Sequence, residues 1–186
     1  MDLADGPLPM TVSLPPQVVR EFQEVGRLLW EAGLVSFHGG NMSVRLPEGL
    51  IVVTRHGAML GRLEAQDLMI LGAEGEPSWD TPIHQAIYSV TQAGAVLHAH
   101  PVHAVALSYG RRELRPQDLE GRHHLGEMVP VVPKGDHVPQ ALAVHPVAIW
   151  EGHGCYARGD DLWQALKYAS VLEESARILW LRQAFP

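Results

Sequence analysis

Disulfide bonds within the chain are excluded by number, because its 186 residues contain one cysteine, Cys155. A reducing compartment is the matching expectation, and we read the chain as cytoplasmic. Long apolar runs are missing as well. None approaches the roughly 18–20 residues that cross a bilayer, so no membrane partner is expected. The opening stretch MDLADGPLPMTVSLPP has no cationic start and no apolar core segment, and is not expected to act as a secretory signal. Basic blocks are absent too. Lys and Arg total 14 against 21 Asp and Glu, for a net charge of −7, which argues against nucleic acid as a partner.

What remains is an ordinary globular composition, 46% hydrophobic and 19% charged, too apolar for disorder and long enough for one core. Residues 1–16, with Pro7, Pro9, Pro15 and Pro16, predict a loosely held arm, and residues 17–186 a single domain. Val18, Phe22, Val25, Leu29 and Ala32 recur at helical spacing, with Gly33 as a stop. Short β signals follow at residues 43–46, 50–54 and 68–71. A helix is expected at 81–90, opened by Pro82, then a strand at 95–100 and a helix at 102–109. The pattern is weak from 110 to 146, where we read only a strand at 129–132 and a loop or short helix at 133–145. Strands at 147–150 and 155–157 lead to a long helix at 160–182. Asp160 and Asp161 stand at its start and Arg177 and Arg182 near its end, both favourable to the helix dipole. This order predicts an α/β fold with a mainly antiparallel sheet and helices packed on its faces.

Histidine is the outlier, with 11 copies. In Ala95-Val96-Leu97-His98-Ala99-His100-Pro101, an apolar strand carries two imidazoles at i and i+2, on one face. A third, glycine-flanked, stands in Gly152-His153-Gly154. Each has a plainer reading as a hydrogen-bonded core or surface histidine. Together His98, His100 and His153 would make a tripodal site with room left for substrate. Neutral imidazole suits Zn²⁺, the expected cofactor, and other divalent transition metals equally. Rival HxH architectures fit worse. A metallo-β-lactamase-type site asks for an aspartate beside a further histidine, whereas Pro101 and Val102 precede His103. A cupin-type site asks for a glutamate where Ala104 and Val105 stand, and an amidohydrolase barrel needs about 250 residues.

Asp80 precedes His84 by four residues at a helix entrance. It could cap that helix, or act as the general base beside a metal. Three glycine- or serine-bearing segments could converge on one anion. They are Gly40-Asn41-Met42-Ser43, Thr54-Arg55-His56-Gly57 and Ser78, with Arg55 or His56 adding positive charge.

Taken in order, these motifs resemble the class II aldolase/adducin family, most closely its L-fuculose-1-phosphate aldolase branch. The resemblance is carried by Gly40-Asn41-Met42-Ser43-Val44-Arg45, the 54–57 turn, Asp67-Leu68, Pro77-Ser78 with Asp80 and His84, Ala86-Ile87-Tyr88, Val96 to Pro101, Gly152-His153-Gly154 and Leu172-Glu173-Glu174-Ser175-Ala176. It implies a three-layer α/β/α sandwich, a homotetramer, and zinc held by His98, His100 and His153. It places Asp80 where the family usually has a catalytic glutamate. It puts the substrate phosphate against Gly40, Asn41, Ser43, His56, Gly57 and Ser78. The implied reaction is reversible cleavage of a ketose 1-phosphate into dihydroxyacetone phosphate and an aldehyde through a metal-stabilised enediolate. A sugar-phosphate 4-epimerase, a dehydratase and a non-catalytic adducin-like binding module remain alternatives. Three residues depart from the family pattern: Asp80 is one methylene short, Arg55 and His56 fill the middle of the turn, and Trp79 stands where a second phosphate-binding serine is common.

Overall fold

The computed structural model describes residues 14–184. Most of the expected arm, residues 1–13, lies outside them. Helix α1 (Pro16–Glu31) opens on Pro15 and Pro16, whose fixed φ suits a first turn, and buries Val18, Phe22, Val25 and Leu29. It ends before Gly33, which takes φ +68°. A glycine also lets α1 sit close to its neighbour, since a Cβ at Gly26 would lie 2.2 Å from the Leu60 carbonyl oxygen. Strands β1 (Asn41–Arg45), β2 (Ile51–Thr54) and β3 (Leu68–Ile70) follow, then α2 (Thr81–Val90), β4 (Ala95–Ala99) and α3 (Val102–Ser108). The chain continues through β5 (Glu113–Leu114), α4 (Leu119–Leu125), β6 (Val129–Val132), α5 (Val138–Val144), β7 (Val147–Trp150), β8 (Gly154–Gly159) and α6 (Leu162–Ala184).

One sheet runs in the order β3-β2-β1-β4-β8-β7-β6-β5. Every neighbouring pair is antiparallel except β6 with β7. Alternation along its strands sends side chains into two separate cores. Ala95, Leu97 and Ala99 of β4, Cys155 and Ala157 of β8, and Val147 and Ile149 of β7 join the core under α1, α3, α4 and α6. Val96, Tyr156 and Ala148 face the opposite way, toward Ile87 and Tyr88 of α2 and Val138 and Leu142 of α5. The result is the three-layer sandwich. The face of α6 turned to the sheet holds Ala165 and Ala169 between Leu162 and Leu172, and Ala176 one turn on, small residues that let it lie close on β8. Its first turn is tied down by Asp161, whose carboxylate accepts from Gln164 N at 2.7 Å, and by Glu21 of α1, which accepts from Leu162 N at 2.8 Å. No helix among the described residues is long and apolar enough to cross a membrane.

Three expectations shift. The strand read at 43–46 begins at Asn41, so Asn41 and Ser43 lie on β1 rather than in a glycine loop. The strand read at 95–100 ends at Ala99, and His100 sits just past it with its N–H on the Leu34 carbonyl at 2.8 Å. The segment read as weak contains β5 and α4. The latter is capped by Asp118, whose carboxylate accepts from Gly121 N at 2.7 Å.

Candidate metal and catalytic site

The sheet sets the site through a row of opposed residues. Asn41 on β1 faces His98 on β4, and His98 faces Tyr156 on β8. Directly paired residues in antiparallel strands share a face, so the three side chains stand side by side. This face is the one covered by α2, and Asp80 at the start of α2 hangs over the row. Its carboxylate accepts from Asn41 Nδ2 at 2.7 Å and lies 3.7 Å from His98 Nε2. The helix-cap reading of Asp80 fails, because the carboxylate makes no capping hydrogen bond on α2. It is turned toward the histidines instead.

His98, His100 and His153 meet. One ring nitrogen from each lies within 4.8 Å of the others. His98 is buried, His100 is partly exposed and His153 is exposed, which grades the cluster from interior to solvent. His98 Nδ1 donates to the Cys155 carbonyl at 2.9 Å, which fixes the ring and leaves Nε2 for the cluster. His98 and His100 bring their Nε2 atoms to 3.0 Å. Such an approach requires at least one unprotonated nitrogen. His153 stands in the turn between β7 and β8, stacked on His98 with centroids 4.9 Å apart and planes at 9°. Trp150 braces it from 4.3 Å. The flanking glycines have separate reasons. Gly152 takes φ +68° in the turn. A Cβ at Gly154 would fall 2.4 Å from the Ala99 carbonyl oxygen, 2.7 Å from His100 and 2.8 Å from His98. Only glycine lets β8 close on the two histidines.

Charge state favours metal binding. Burial, with His100 repulsion added, lowers His98 to about 3, against the opposing pull of Asp80. Burial and His153 likewise lower His100. Both imidazoles are therefore neutral near pH 7 and have lone pairs to give. Burial pushes the Asp80 carboxyl up, but His98 and the Asn41 hydrogen bond outweigh it and hold the group below its ordinary value. Asp80 is thus an ionised carboxylate beside the neutral rings of His98 and His100. This donor set fits a divalent transition ion, and its chemistry does not single out one metal.

Backbone contacts gather the anion segments. His38 Nδ1 lies 2.8 Å from the Gly57 carbonyl, His56 N donates to Glu76 O at 3.0 Å, and Ser78 N donates to Thr54 O at 3.1 Å. Gly40, at φ +81°, has no room for a side chain, since a Cβ would lie 2.7 Å from Val35 and 2.8 Å from the His98 carbonyl oxygen. His56 and Gly57 are exposed and Ser78 half-buried at this edge. Arg55 packs against Gly75, leaving His56 as the free basic ring. Trp79, 82% exposed, stacks on His56 with centroids 5.0 Å apart. Ser43 is placed differently. It is fully buried, and its hydroxyl is engaged by His84 Nδ1 at 2.7 Å and the Tyr88 hydroxyl at 2.9 Å. It has no face for an anion, and that expectation is corrected. His103, on α3, is held instead by Glu173, with Nδ1 2.6 Å from the carboxylate.

Tyr156 was missed from the sequence. It is fully buried, and its ring stacks on His98 at 4.2 Å and 18°. Burial and the charge of Asp80 push its phenol well above the ordinary range. The signal is register, because nothing in a single sequence says which residue of β8 will face His98.

A model of the class II aldolase and adducin N-terminal domain matches residues 20–180. The chain belongs to this family. It is 32% identical over 180 residues to a methylthioribulose-1-phosphate dehydratase from Methylococcus capsulatus, covering 82% of this chain and 88% of that protein. It is 27% identical to a 3-oxo-tetronate 4-phosphate decarboxylase from Haemophilus influenzae, covering 86% and 85%. The crystal structure of L-fuculose-1-phosphate aldolase from Thermus thermophilus superposes with a TM-score of 0.85 at 36% identity, over 92% of this chain and 96% of that one. These relatives are named for three different reactions, a dehydration, a decarboxylation and an aldol cleavage, each on a phosphorylated substrate.

Proposed function

We propose that this protein is a class II aldolase that reversibly cleaves a ketose 1-phosphate into dihydroxyacetone phosphate and an aldehyde. The observation that carries the reading is an ionised Asp80 held 3.7 Å from a buried ligand of a three-histidine cluster. His98, His100 and His153 would hold the ion, with zinc the expected occupant. When bound, the ion supplies Lewis-acid polarisation of a ketone carbonyl and its neighbouring hydroxyl. In the condensing direction Asp80 takes a proton from the hydroxymethyl carbon of dihydroxyacetone phosphate. In the cleaving direction Asp80 accepts the C4 hydroxyl proton, the C3–C4 bond breaks as the aldehyde forms, and the protonated Asp80 delivers that proton to C3. The backbone around Gly40 and Gly57, with Asn41, His56 and Ser78, would receive the phosphate. A homotetramer is part of the reading, supported by the exposed apolar side chains of Phe37, Val102 and Tyr109.

A dehydratase reading is supported by the 32% identity to the methylthioribulose-1-phosphate enzyme. It needs the same carboxylate, because water is lost after a proton leaves the carbon beside the ketone. A product screen separates the two. Metal-loaded protein incubated with L-fuculose 1-phosphate and related ketose 1-phosphates should release dihydroxyacetone phosphate. Loss of water from methylthioribulose 1-phosphate, with no dihydroxyacetone phosphate from any ketose, would replace the aldolase reading with the dehydratase one.

A further inference from the structure

Among the described residues, five buried side-chain polar atoms have no hydrogen-bond partner, and four of them gather around Asp80. They are Asn41 Oδ1, Thr81 Oγ1, His84 Nε2 and the Tyr156 hydroxyl. A buried polar group left unpaired costs on the order of 1–3 kcal/mol, so such a cluster at one carboxylate asks for a reason. Asn41 already spends its amide N–H on Asp80. Thr81 follows Asp80 in the chain, and His84 stands one helical turn on, its backbone N–H donating to the Asp80 carbonyl at 3.1 Å. Tyr156 differs from these in place, because its hydroxyl comes from the sheet rather than from α2 and can donate to the carboxylate from the side opposite Asn41. It rises from the sheet beside His98, in the same cross-strand row as Asn41, beneath the carboxylate. The hydroxyl is directed at Asp80 yet stops short of an ordinary hydrogen bond.

We propose that Tyr156 is a positioning residue, whose hydroxyl donates to the Asp80 carboxylate and, with Asn41, aims it at the reacting carbon. An aspartate needs this more than a glutamate would. Its carboxylate sits one methylene nearer the backbone, so a small error in aim is not absorbed by a longer arm. Asn41 grips one oxygen from the β1 side. Tyr156 grips the carboxylate from the β8 side, and the stack on His98 keeps the phenol in register with the ligand cluster. Catalytic hydrogen bonds often tighten only when substrate is bound, which accounts for a hydroxyl left unpartnered without it.

The inference rests on Asp80 as the proton carrier. The test is exchange of the hydroxymethyl C–H of dihydroxyacetone phosphate in D₂O, followed by NMR on the zinc-loaded protein. Tyr156→Phe keeps the ring and its stack and removes only the hydroxyl. It should slow the exchange about tenfold or more, with the KM for dihydroxyacetone phosphate and the zinc stoichiometry unchanged. Its Tm should not fall, since the hydroxyl makes no hydrogen bond in the unliganded protein and its removal leaves no partner behind. In an Asp80→Glu background, where the carboxylate moves off the phenol, Tyr156→Phe should lose most of its effect. Exchange by Tyr156→Phe within twofold of the parent overturns the proposal, as does an equal loss in both backgrounds. Asp80→Asn keeps the two readings apart. If it exchanges as fast as the parent, the Asp80 reading fails; if it is dead while Tyr156→Phe is unchanged, only the positioning role fails.

Discussion

On one face of β4, Ala95, Leu97 and Ala99 pack into the apolar layer under α1 and α6. On the other, Val96 starts the smaller core under α2 and α5, and His98 ends it. The same five residues therefore hold the domain together on one side and build the site on the other. The division lies in what each face leaves unpaired. The α6 side buries almost only apolar side chains, its Ser175 hydroxyl is bonded to Asp118, and Asp118 Oδ1 is its one orphan among the described residues. The α2 side buries Asn41, Ser43, His84, His98 and Tyr156, and four polar atoms there lack partners. Such groups are retained where they bind something, because as packing they are costly.

Substitutions on the two faces should separate stability from chemistry. The largest effect is expected on the polar side. Asp80→Asn should slow proton exchange by about 10²–10⁴-fold while unfolding at nearly the parental urea midpoint. On the apolar side, Leu97→Ala should cost about 2–5 kcal/mol in urea unfolding and leave the zinc stoichiometry of the folded protein unchanged. If Leu97→Ala lost metal without losing stability, the two faces would not be separate. Gly154→Ala bridges them. Its Cβ has no room between the Ala99 carbonyl and the rings of His98 and His100, so zinc affinity should fall about 10–100-fold by competition titration.

The pH response comes from the polar face as well. Burial lowers His84 to about 4, so the unfolded chain, with an ordinary histidine near 6.5, binds more protons between those values. The folded state therefore loses stability as pH falls from about 6.5 toward 4, by at most about 1.4 kcal/mol per unit for this one group. The pH dependence of unfolding of the metal-free protein across that window should become shallower in His84→Gln, with His98 and His100 supplying the slope that remains. The smallest effect is expected at the exposed rim. Trp79→Ser should leave stability within about 0.5 kcal/mol and change only the KM for phosphorylated substrates.

Much of this was legible in the sequence, for reasons that differ by element. The i, i+2 pair on an apolar strand and the glycine-flanked His153 pointed to the cluster, because strand period and glycine are local signals. Helices α1, α2 and α6 were legible from apolar spacing. Strand β5 has two residues and shows no period, and α4 announced itself only through Asp118, a cap without an amphipathic face long enough to notice. Ser43 was misplaced because a strand that begins two residues early turns a loop hydroxyl into a buried one. The Asn41–His98–Tyr156 row was not legible at all, since it depends on how β1, β4 and β8 register against one another. That information belongs to pairs of segments more than 50 residues apart.

Zinc binding to purified, metal-stripped protein is the most direct test of the shared centre. Equilibrium dialysis should give one ion per chain, and His98→Ala, His100→Ala and His153→Ala should each abolish tight binding while the chain stays folded. One ion per chain that persists in His153→Ala would mean that the hairpin histidine is no ligand, and the three-histidine centre would be wrong.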